Sequence, residues 1–409
     1  MVVIDIYKVG GAVRDELLGL PANDCDWVVT GATPAQMLAA GYRQVGKDFP
    51  VFLHPQSQEE YALARTERKT APGYHGFVIH AAPDVTLEQD LGRRDLTINA
   101  MARDGDNNLI DPYGGQADLD NRILRHVSPA FSEDPLRILR VARFAARFAA
   151  LGFRLAVDTQ QLMTEMVLAG ELSTLAAERV WTESERALAG PQPRVFFSIL
   201  RDCGALAVIY PELDRLFGVP QPEKYHPEID AGVHTLMVLD QAAALSDDPM
   251  VRFSALVHDI GKGQTPASEW PQHIGHEQRS ADMIALLCQR MRIPKAYREL
   301  ACLVARFHSH CHRAFDLKPI TVQKTLEKLD AFRRPQRFEQ FLLVCEADAR
   351  GRKGQEKACY EQAQYLRKAF DCAASVTAVK FLDQGLTGIA LADRLREERV
   401  KLISNLEVV

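Results

Sequence analysis

The sequence changes character near Ser132. Before that point, short β-like runs are separated by Gly, Pro and Asp, which is typical of a mixed α/β domain. After it, patterns rich in Ala, Leu and Arg with helical spacing continue almost to the end of the chain. The β-like runs are VFLHP, EYALA, FVIHA, NLIDPY and ILRHV. We therefore predict an α+β chain in which an α/β head is followed by all-helical domains.

The length of the chain, 409 residues, exceeds what one hydrophobic core normally organises. The most Pro-rich interruptions of the helical part are GPQPR (190–194) and GVPQPEKYHPEID (218–230), and we place boundaries near them. The prediction is three domains, over residues 1–127, 128–218 and 219–409.

The net charge of −5 argues against a surface that is positive throughout, so any surface for nucleic acid must be local. Residues 330–340 and 349–357 are basic stretches, which are either contacts for RNA or solvated faces. Eight scattered cysteines without a C-x-x-C pair suit reduced thiols. The N-terminus lacks the apolar region of a signal peptide, and no run approaches the length of a membrane span. We predict a cytoplasmic protein with no membrane partner.

The segment YKVGGAVRDELLG (7–19) predicts a strand, a glycine pair and a short helix that ends at Gly19. Glycines before a helix allow backbone N–H groups to approach an anion, although tight turns need glycine for other reasons. Arg14 falls in the first helical turn, from which it could bind a phosphate.

The segment NDCDW (23–27) sets Asp24 and Asp26 at the start of an apolar run. In a strand they share one face, where two like charges repel unless a cation or solvent relieves them. A solvated turn and a divalent-metal site both remain open for this stretch alone. A phosphate-binding turn followed by paired carboxylates is what metal-assisted phosphoryl transfer requires, and Glu60 at the start of a later strand could add a third carboxylate.

Two further motifs carry arginines. In GRRDLTINAM (92–101), Arg93, Arg94 and Asp95 read, taken alone, as a solvated helix start. In SEDPLRILRVARF (132–144), Asp134 is a good N-cap with proline at the first helical position. The helix that follows carries an apolar face and, beside it, a stripe of Arg137, Arg140, Arg143 and Arg147. With few acids four residues away, such a stripe favours an anionic ligand over a merely solvated face.

Histidines crowd residues 226–312. His258 and Asp259 end an apolar helix, where an unpaired Asp would be costly to bury. Imidazole and carboxylate ligands suit Ni²⁺, Mn²⁺, Co²⁺ or Zn²⁺ better than Ca²⁺. The order His, His-Asp and a distant Asp resembles the HD superfamily of metal-dependent phosphohydrolases, and the ligands expected from it are His234, His258, Asp259 and Asp348. His276 and His308 would be ligands of a second site or phosphate contacts.

The motifs together resemble those of the class II tRNA nucleotidyltransferases, the CCA-adding enzymes, over essentially the whole chain. The residues that carry the resemblance are VGGAVRD, DCD, RRDLTINAM, EDPLRILRVARF and ERVW (178–181). The histidine cluster resembles the bacterial branch with a C-terminal HD phosphohydrolase domain. The resemblance implies a polymerase-β-like nucleotidyltransferase head followed by an all-α neck, body and HD domain.

The resemblance also implies roles for individual residues. Asp24 and Asp26, with Glu60 as a less certain third carboxylate, would bind Mg²⁺ for catalysis. Gly11 and Arg14 would contact nucleotide phosphates. Asp95 and the Arg93–Arg94 pair would recognise the ribose. Asp134 and Arg137 would serve as an amino-acid template for the base, and Arg140 and Arg143 would support the triphosphate.

The activity implied is addition of C, C and A to the 3′ end of tRNA from CTP and ATP. An HD phosphohydrolase with a transition metal, Ni²⁺ being the expected one, would act on phosphate-blocked RNA ends. The loop TERKTAPGYHGF (66–77) is placed like the flexible loop that the family needs for switching from C to A. The partners would be tRNA, CTP and ATP, and the protein a monomer or homodimer. The alternatives are a bacterial poly(A) polymerase and an RNA-binding protein with hydrolase activity only.

Overall fold

The structure, a computed structural model, describes residues 4–21, 25–45, 51–69, 77–382 and 385–406. Its strands are β1 Asp5–Val9, β2 Asp26–Thr30, β3 Arg43–Val45, β4 Val51–Leu53, β5 Glu60–Leu63, β6 Thr66–Lys69, β7 Phe77–His80, β8 Ala102–Arg103, β9 Leu109–Ile110, β10 Ile123–Leu124 and β11 Arg154–Leu155. Each β-like run of the sequence contains one of them.

The helices follow in chain order. Those of the first half are α1 Gly11–Leu17, α2 Pro34–Ala39, α3 Leu87–Gly92, α4 Gly115–Asp120, α5 Leu136–Phe148, α6 Val157–Leu168, α7 Ala177–Leu188, α8 Pro193–Asp202, α9 Ala205–Ile209 and α10 Pro211–Asp214. Those of the second half are α11 Ala231–Leu245, α12 Pro249–Val257, α13 His276–Arg290, α14 Lys295–His312, α15 Pro319–Lys328, α16 Pro335–Arg350, α17 Glu361–Ala374, α18 Val379–Leu382 and α19 Gly388–Ser404. The predicted α+β class is confirmed.

A seven-stranded mixed sheet with the order β3-β4-β5-β2-β1-β8-β9 forms the head. Strand β2 lies near its middle, antiparallel to β1 and parallel to β5. Because successive side chains alternate faces, Val28 packs on one side with Val9 and Leu91, while Val29 packs on the other with Phe52. Apolar clusters therefore lie on both faces of the sheet.

Helix α5 follows the head and begins one residue later than the sequence predicts. Pro135 is the N-cap, yet Oδ1 of Asp134 still accepts a hydrogen bond of 3.0 Å from the Leu136 N–H. The apolar face predicted for this helix is buried: Ile138, Val141, Ala145 and Phe148.

The described residues form two compact units. The first comprises Met1–Ala187 and Val195–Ile209, and the second Leu188–Arg194 and Tyr210–Val409. The core of the second unit is helical, with apolar side chains from α11, α12, α14, α16 and α17 packed together. The predicted boundary between residues 127 and 128 falls inside the first unit, and the three-domain division stays a prediction. Among the described helices, none is both long and apolar enough to cross a membrane.

Candidate active sites

The glycine pair has a steric reason in the structure. Gly10 has a φ of +71°, and a Cβ there would lie 2.5 Å from Nη1 of Arg94. Glycine thus allows the Arg94 guanidinium to pack against the turn before α1. The strand, turn and helix predicted for this segment are present, whereas a phosphate contact by Gly11 stays a prediction.

Arg14, which the sequence analysis placed where it could bind a phosphate, is buried. Its guanidinium lies 5.2 Å and 5.1 Å from the ring centroids of Phe144 and Phe148 on α5, and it donates to the carboxylate of Asp15. It also donates to Oδ1 of Asn99. Burial lowers the pKa of Arg14, and the charge of Asp15 opposes that effect. Arg14 therefore joins α1 to α5, and its predicted phosphate contact stays untested.

Asp26 and Glu60 are side by side in the sheet, because they are register partners on the parallel strands β2 and β5. Both are exposed, and they share the face of Val28 and Ala64. Asp24 lies outside the described residues. Exposed carboxylates paired in this way form an all-oxygen donor set, which fits Mg²⁺.

The motif around Arg93 is organised by Asp90, which the sequence analysis did not single out. The Asp90 carboxylate is fully buried, 2.7 Å from Nη2 of Arg93 and 3.4 Å from Nη2 of Arg94. Burial opposes the negative charge, but the two guanidinium groups lower the pKa of Asp90. A carboxylate three and four residues before an arginine pair, at the end of a helix, is the signal that could have found it.

Asp95 is buried, so the interpretation of this segment as a solvated helix start is wrong. Its carboxylate accepts hydrogen bonds from Asn99 at 2.8 Å, from the Leu96 N–H at 2.9 Å and from Nε of Arg140 at 2.8 Å. Against the effect of burial, Arg140 and Asn99 hold the pKa of Asp95 well below its ordinary value.

The arginine stripe of α5 has acidic partners on other elements. Arg140 pairs with Asp95 at 2.7 Å, Arg143 with Glu183 at 2.6 Å and Arg147 with Asp15 at 3.0 Å. The sequence argument counted only acids four residues away along the helix, and that premise is wrong for the folded chain. The roles of Arg140 and Arg143 toward a triphosphate stay predictions.

Asp134 and Arg137 lie at the start of α5. Oδ2 of Asp134 accepts a hydrogen bond of 3.0 Å from Nη2 of Arg179 on α7. The buried Arg137 guanidinium donates to the backbone carbonyls of Ala130 and Arg93. Arg179 belongs to the ERVW motif, which the sequence analysis identified. The sequence did not reveal the contact of Arg179 with Asp134.

In the second unit, three of the four predicted ligands meet. His234, His258 and Asp348 offer donor atoms that lie within 4.8 Å of one another. Nε2 of His234 lies 3.0 Å from Oδ1 of Asp348, and Nε2 of His258 lies 3.7 Å from Oδ2 of Asp348. All three side chains are almost fully buried.

Asp259, the fourth predicted ligand, groups with His276 and His308. Oδ1 of Asp259 lies 3.2 Å from Nε2 of His276 and 3.7 Å from Nε2 of His308. The two groups adjoin, since Oδ2 of Asp259 is 3.2 Å from Nε2 of His258. His276 and His308 thus lie beside the other residues, as their proposed second-site role requires.

Electrostatics favour a cation between these groups. Nε2 of His258 and Oδ1 of Asp259 are buried without a hydrogen-bond partner among the described residues. Burial lowers the pKa of His258, but Asp259 and Asp348 outweigh it and raise that pKa to about 9. A bound metal would displace the proton of His258 and would be coordinated by these two unpaired atoms. The residues therefore fit a transition metal held by nitrogen and oxygen.

Further polar residues at this site escaped the sequence analysis. Nε2 of His312 lies 2.6 Å from Oδ2 of Asp348, and its Nδ1 lies 2.8 Å from the Tyr360 hydroxyl. Nζ of Lys262 lies 2.6 Å from Oδ2 of Asp259. Glu228 contacts His234 at 2.8 Å. Only the fold brings these residues to the ligands, although Lys262 follows the His-Asp pair closely in sequence.

The basic stretch 330–340 is paired with acids. Arg334 and Arg337 lie 2.9 Å and 3.4 Å from Oε2 of Glu299, and Arg333 lies 3.3 Å from Asp330. These contacts favour a solvated, acid-paired face over a contact for RNA.

Three family models match the chain. The poly A polymerase head domain matches residues 6–125, a probable RNA and SrmB-binding site of polymerase A matches residues 152–217, and the HD domain matches residues 232–348.

Full-length relatives also match. A protein of Thioalkalivibrio sulfidiphilus (strain HL-EbGR7) called multifunctional CCA protein is 66% identical over 401 residues, which cover 98% of each chain. The Thermotoga maritima CCA-adding enzyme complexed with tRNA is similar in structure, with a TM-score of 0.64 and 19% identity over 99% of this chain and 89% of that one. A CCA-adding enzyme in complex with CTP has a TM-score of 0.65 and 20% identity over 100% and 89% of the two chains. At these identities, the structural matches show a shared fold.

Proposed function

Because the chain belongs to the family of multifunctional CCA proteins, we propose that its head adds C, C and A to the 3′ end of tRNA, using CTP and ATP. We further propose that its HD domain hydrolyses phosphoesters at RNA ends, as a 2′,3′-cyclic phosphodiesterase, 2′-nucleotidase and phosphatase. The observation that carries the proposal is the full-length match to a multifunctional CCA protein, together with two separate carboxylate-bearing sites in one chain.

In the head, Asp26 and Glu60, with Asp24, would hold Mg²⁺. The metal would supply charge neutralisation for the triphosphate and would activate the attacking hydroxyl. Their position at the ends of neighbouring strands fixes the spacing of two of these carboxylates before any ligand arrives. Asp95 and Arg93–Arg94 would recognise the ribose from the segment that follows α3.

Asp134 and Arg137 would select the base. A carboxylate accepts a hydrogen bond from an exocyclic amine, and a guanidinium donates to a ring nitrogen or a carbonyl. Cytosine carries that amine at C4 and adenine at C6, the positions at which uracil and guanine present a carbonyl. The contact with Arg179 supports this role, because it fixes the Asp134 carboxylate at the start of α5.

In the HD domain, His234, His258, Asp259 and Asp348 would hold a transition metal, for which we propose Ni²⁺. The metal would supply an activated water for phosphoester hydrolysis. Lys262, His276 and His308, which lie 2.6 Å, 3.2 Å and 3.7 Å from the Asp259 carboxylate, would contact the phosphate of the substrate or contribute to a second metal site.

The experiment is to incubate the full-length protein with tRNA that lacks CCA, Mg²⁺ and each labelled nucleotide in turn. CCA addition supports the proposal. A long A tract would indicate a poly(A) polymerase, and no incorporation with intact hydrolysis would indicate an RNA-binding hydrolase. Hydrolysis is measured separately on an RNA with a 2′,3′-cyclic phosphate, with and without Ni²⁺. The oligomeric state and the cytoplasmic location stay predictions.

A further inference from the structure

The Pro-rich segment 218–230, which the sequence analysis treated as a boundary, is a folded loop. The Gln221 N–H donates to the Ile229 carbonyl at 2.7 Å, and the Gly218 N–H donates to Oδ2 of Asp230 at 2.6 Å. Ile229 has a φ of +63°, which a β-branched residue rarely adopts. These contacts close the loop at its base.

The loop presents Glu228 to the HD site. The Glu228 side chain is only 3% exposed. Its Oε1 lies 2.8 Å from Nδ1 of His234 and 3.1 Å from Nδ1 of His226. Its Oε2 accepts a hydrogen bond of 3.2 Å from the Lys353 N–H, just beyond the end of α16. One carboxylate thus joins the helix that carries His234 to the end of the helix that carries Asp348.

The two ring nitrogens of His234 have different surroundings. Nε2 faces Asp348 at 3.0 Å, in the group proposed to hold the metal, whereas Nδ1 faces Glu228. A neutral imidazole carries one N–H, so a lone pair on Nε2 for a metal requires the proton on Nδ1. The His234 Nδ1 is buried and makes no hydrogen bond of regular geometry with the described residues, and Oε1 of Glu228 lies 2.8 Å from it, close enough to become its acceptor.

We propose that Glu228 is a positioning residue of the HD metal site, which fixes the His234 ring with its Nε2 lone pair toward the metal. This inference rests on the proposed function, because it assumes a metal between His234, His258 and Asp348. Carboxylates that orient metal-bound histidines commonly contribute about 10- to 100-fold in metal affinity.

The group His226, Glu228 and His234 could instead hold a second metal, since its donor atoms also lie within 4.8 Å of one another. That arrangement would need His234 to bind through both nitrogens and therefore to lose its remaining proton. In the positioning role, His234 keeps one proton, on Nδ1 and facing Glu228. Because no proton has to be lost, the positioning role is favoured over a second metal.

The test uses the full-length protein, stripped with a chelator and titrated with Co²⁺, whose visible absorption reports the ligand geometry. Four variants are compared with the wild type: Glu228→Ala, Glu228→Gln, His258→Ala and the control Glu223→Ala. Glu223 is an exposed acid of the same loop, so its substitution changes the charge equally without touching His234. We expect Glu228→Ala to bind Co²⁺ about 10- to 100-fold more weakly, with a changed absorption band. Glu228→Gln retains an acceptor oxygen and should fall between Glu228→Ala and the wild type.

The outcomes separate the two hypotheses. Equal Co²⁺ binding by the wild type and His258→Ala would overturn the proposed metal site, and the inference with it. If His258→Ala alone loses binding while both Glu228 variants match Glu223→Ala in affinity and spectrum, only the positioning role is wrong. Two Co²⁺ ions per chain, one of them lost in Glu228→Ala, would identify Glu228 as a ligand instead. If Glu228→Ala does not fold, Glu228→Gln decides by the same measurements.

Discussion

Arg140 of α5 and Asp95 of the head, 45 residues apart, form an ion pair in which Nη2 and Nε of the partly exposed Arg140 lie 2.7 Å and 2.8 Å from Oδ2 of the buried Asp95. The pair joins the residue expected to recognise the ribose to the helix expected to recognise the base. Because Asp95 is buried, its charge depends on this partner.

The first prediction concerns the pH dependence of stability. The folded pKa of Asp95 lies below the unfolded value of about 3.9, so the unfolded chain binds the proton first as the pH falls. The stabilisation from Asp95 is therefore fully present at neutral pH and is lost progressively below about pH 5. Urea unfolding between pH 7 and pH 3 should show a shallower decline for Asp95→Asn than for the wild type. Asp106→Asn, a change at an exposed head residue, should retain the wild-type slope; equal slopes in all three proteins would contradict the burial of a charged Asp95.

The second prediction concerns the carboxylates of the sheet. Asp26→Ala should lower C and A addition together, by about 10²- to 10³-fold, because one metal site serves every step. The melting temperature should stay within a few degrees of the wild type, since the side chain is exposed. Single-nucleotide incorporation and thermal unfolding are measured on the same preparation, with Asp106→Ala as the control. Normal addition of either nucleotide by Asp26→Ala would rule out the metal assignment.

The third prediction concerns base selection. Asp134→Ala should lose rate and also much of the preference for CTP and ATP over UTP and GTP, because the acceptor for the exocyclic amine is gone. Ratios of kcat/KM for the four nucleotides measure this directly. Arg179→Ala, which frees the Asp134 carboxylate from its partner, should reduce the same preference to a smaller extent. Glu165→Ala, on the exposed face of α6, should change neither. If Asp134→Ala slows all four nucleotides equally, the template role is wrong.

The fourth prediction separates the two activities. Replacing His258 and Asp259 together with Ala should abolish hydrolysis of the 2′,3′-cyclic phosphate and its dependence on Ni²⁺, because two metal ligands are removed. CCA addition should continue at the wild-type rate, since its proposed metal ligands lie in the head.

The matched control for this variant is His310→Ala. His310 belongs to the same histidine-rich segment, residues 226–312, but its Nδ1 lies 3.2 Å from the Thr325 hydroxyl, outside the groups of described residues that could hold a metal. It should therefore retain hydrolysis. Undiminished hydrolysis in the double variant would show that the histidines are structural.

Local patterns in the sequence predicted much of the fold. The strand, glycine turn and helix of residues 5–17 and the buried face of α5 depend on neighbouring residues, which the sequence displays directly. The same holds for His258 and Asp259, adjacent in the chain and both at the proposed metal site.

Contacts between distant segments could not be predicted in this way. The burial of Arg14 could not be predicted, because nothing nearby in sequence shows that Phe144 and Phe148 pack against its guanidinium. The acids that pair with the α5 arginines likewise come from 40 to 132 residues away. Helical periodicity places a side chain on a face, but only tertiary packing decides what lies opposite.

His234 and Asp348, whose side chains meet at 3.0 Å, are separated by 114 residues of chain. At bacterial synthesis rates of roughly 5–20 residues per second, the ribosome needs on the order of ten seconds to translate that interval. During that time the residues of the head have already been synthesised, whereas the proposed HD ligand set still lacks Asp348. The complete set of proposed ligands therefore exists only after α16 has been synthesised, so a metal held by all of them cannot guide the earlier folding of the head.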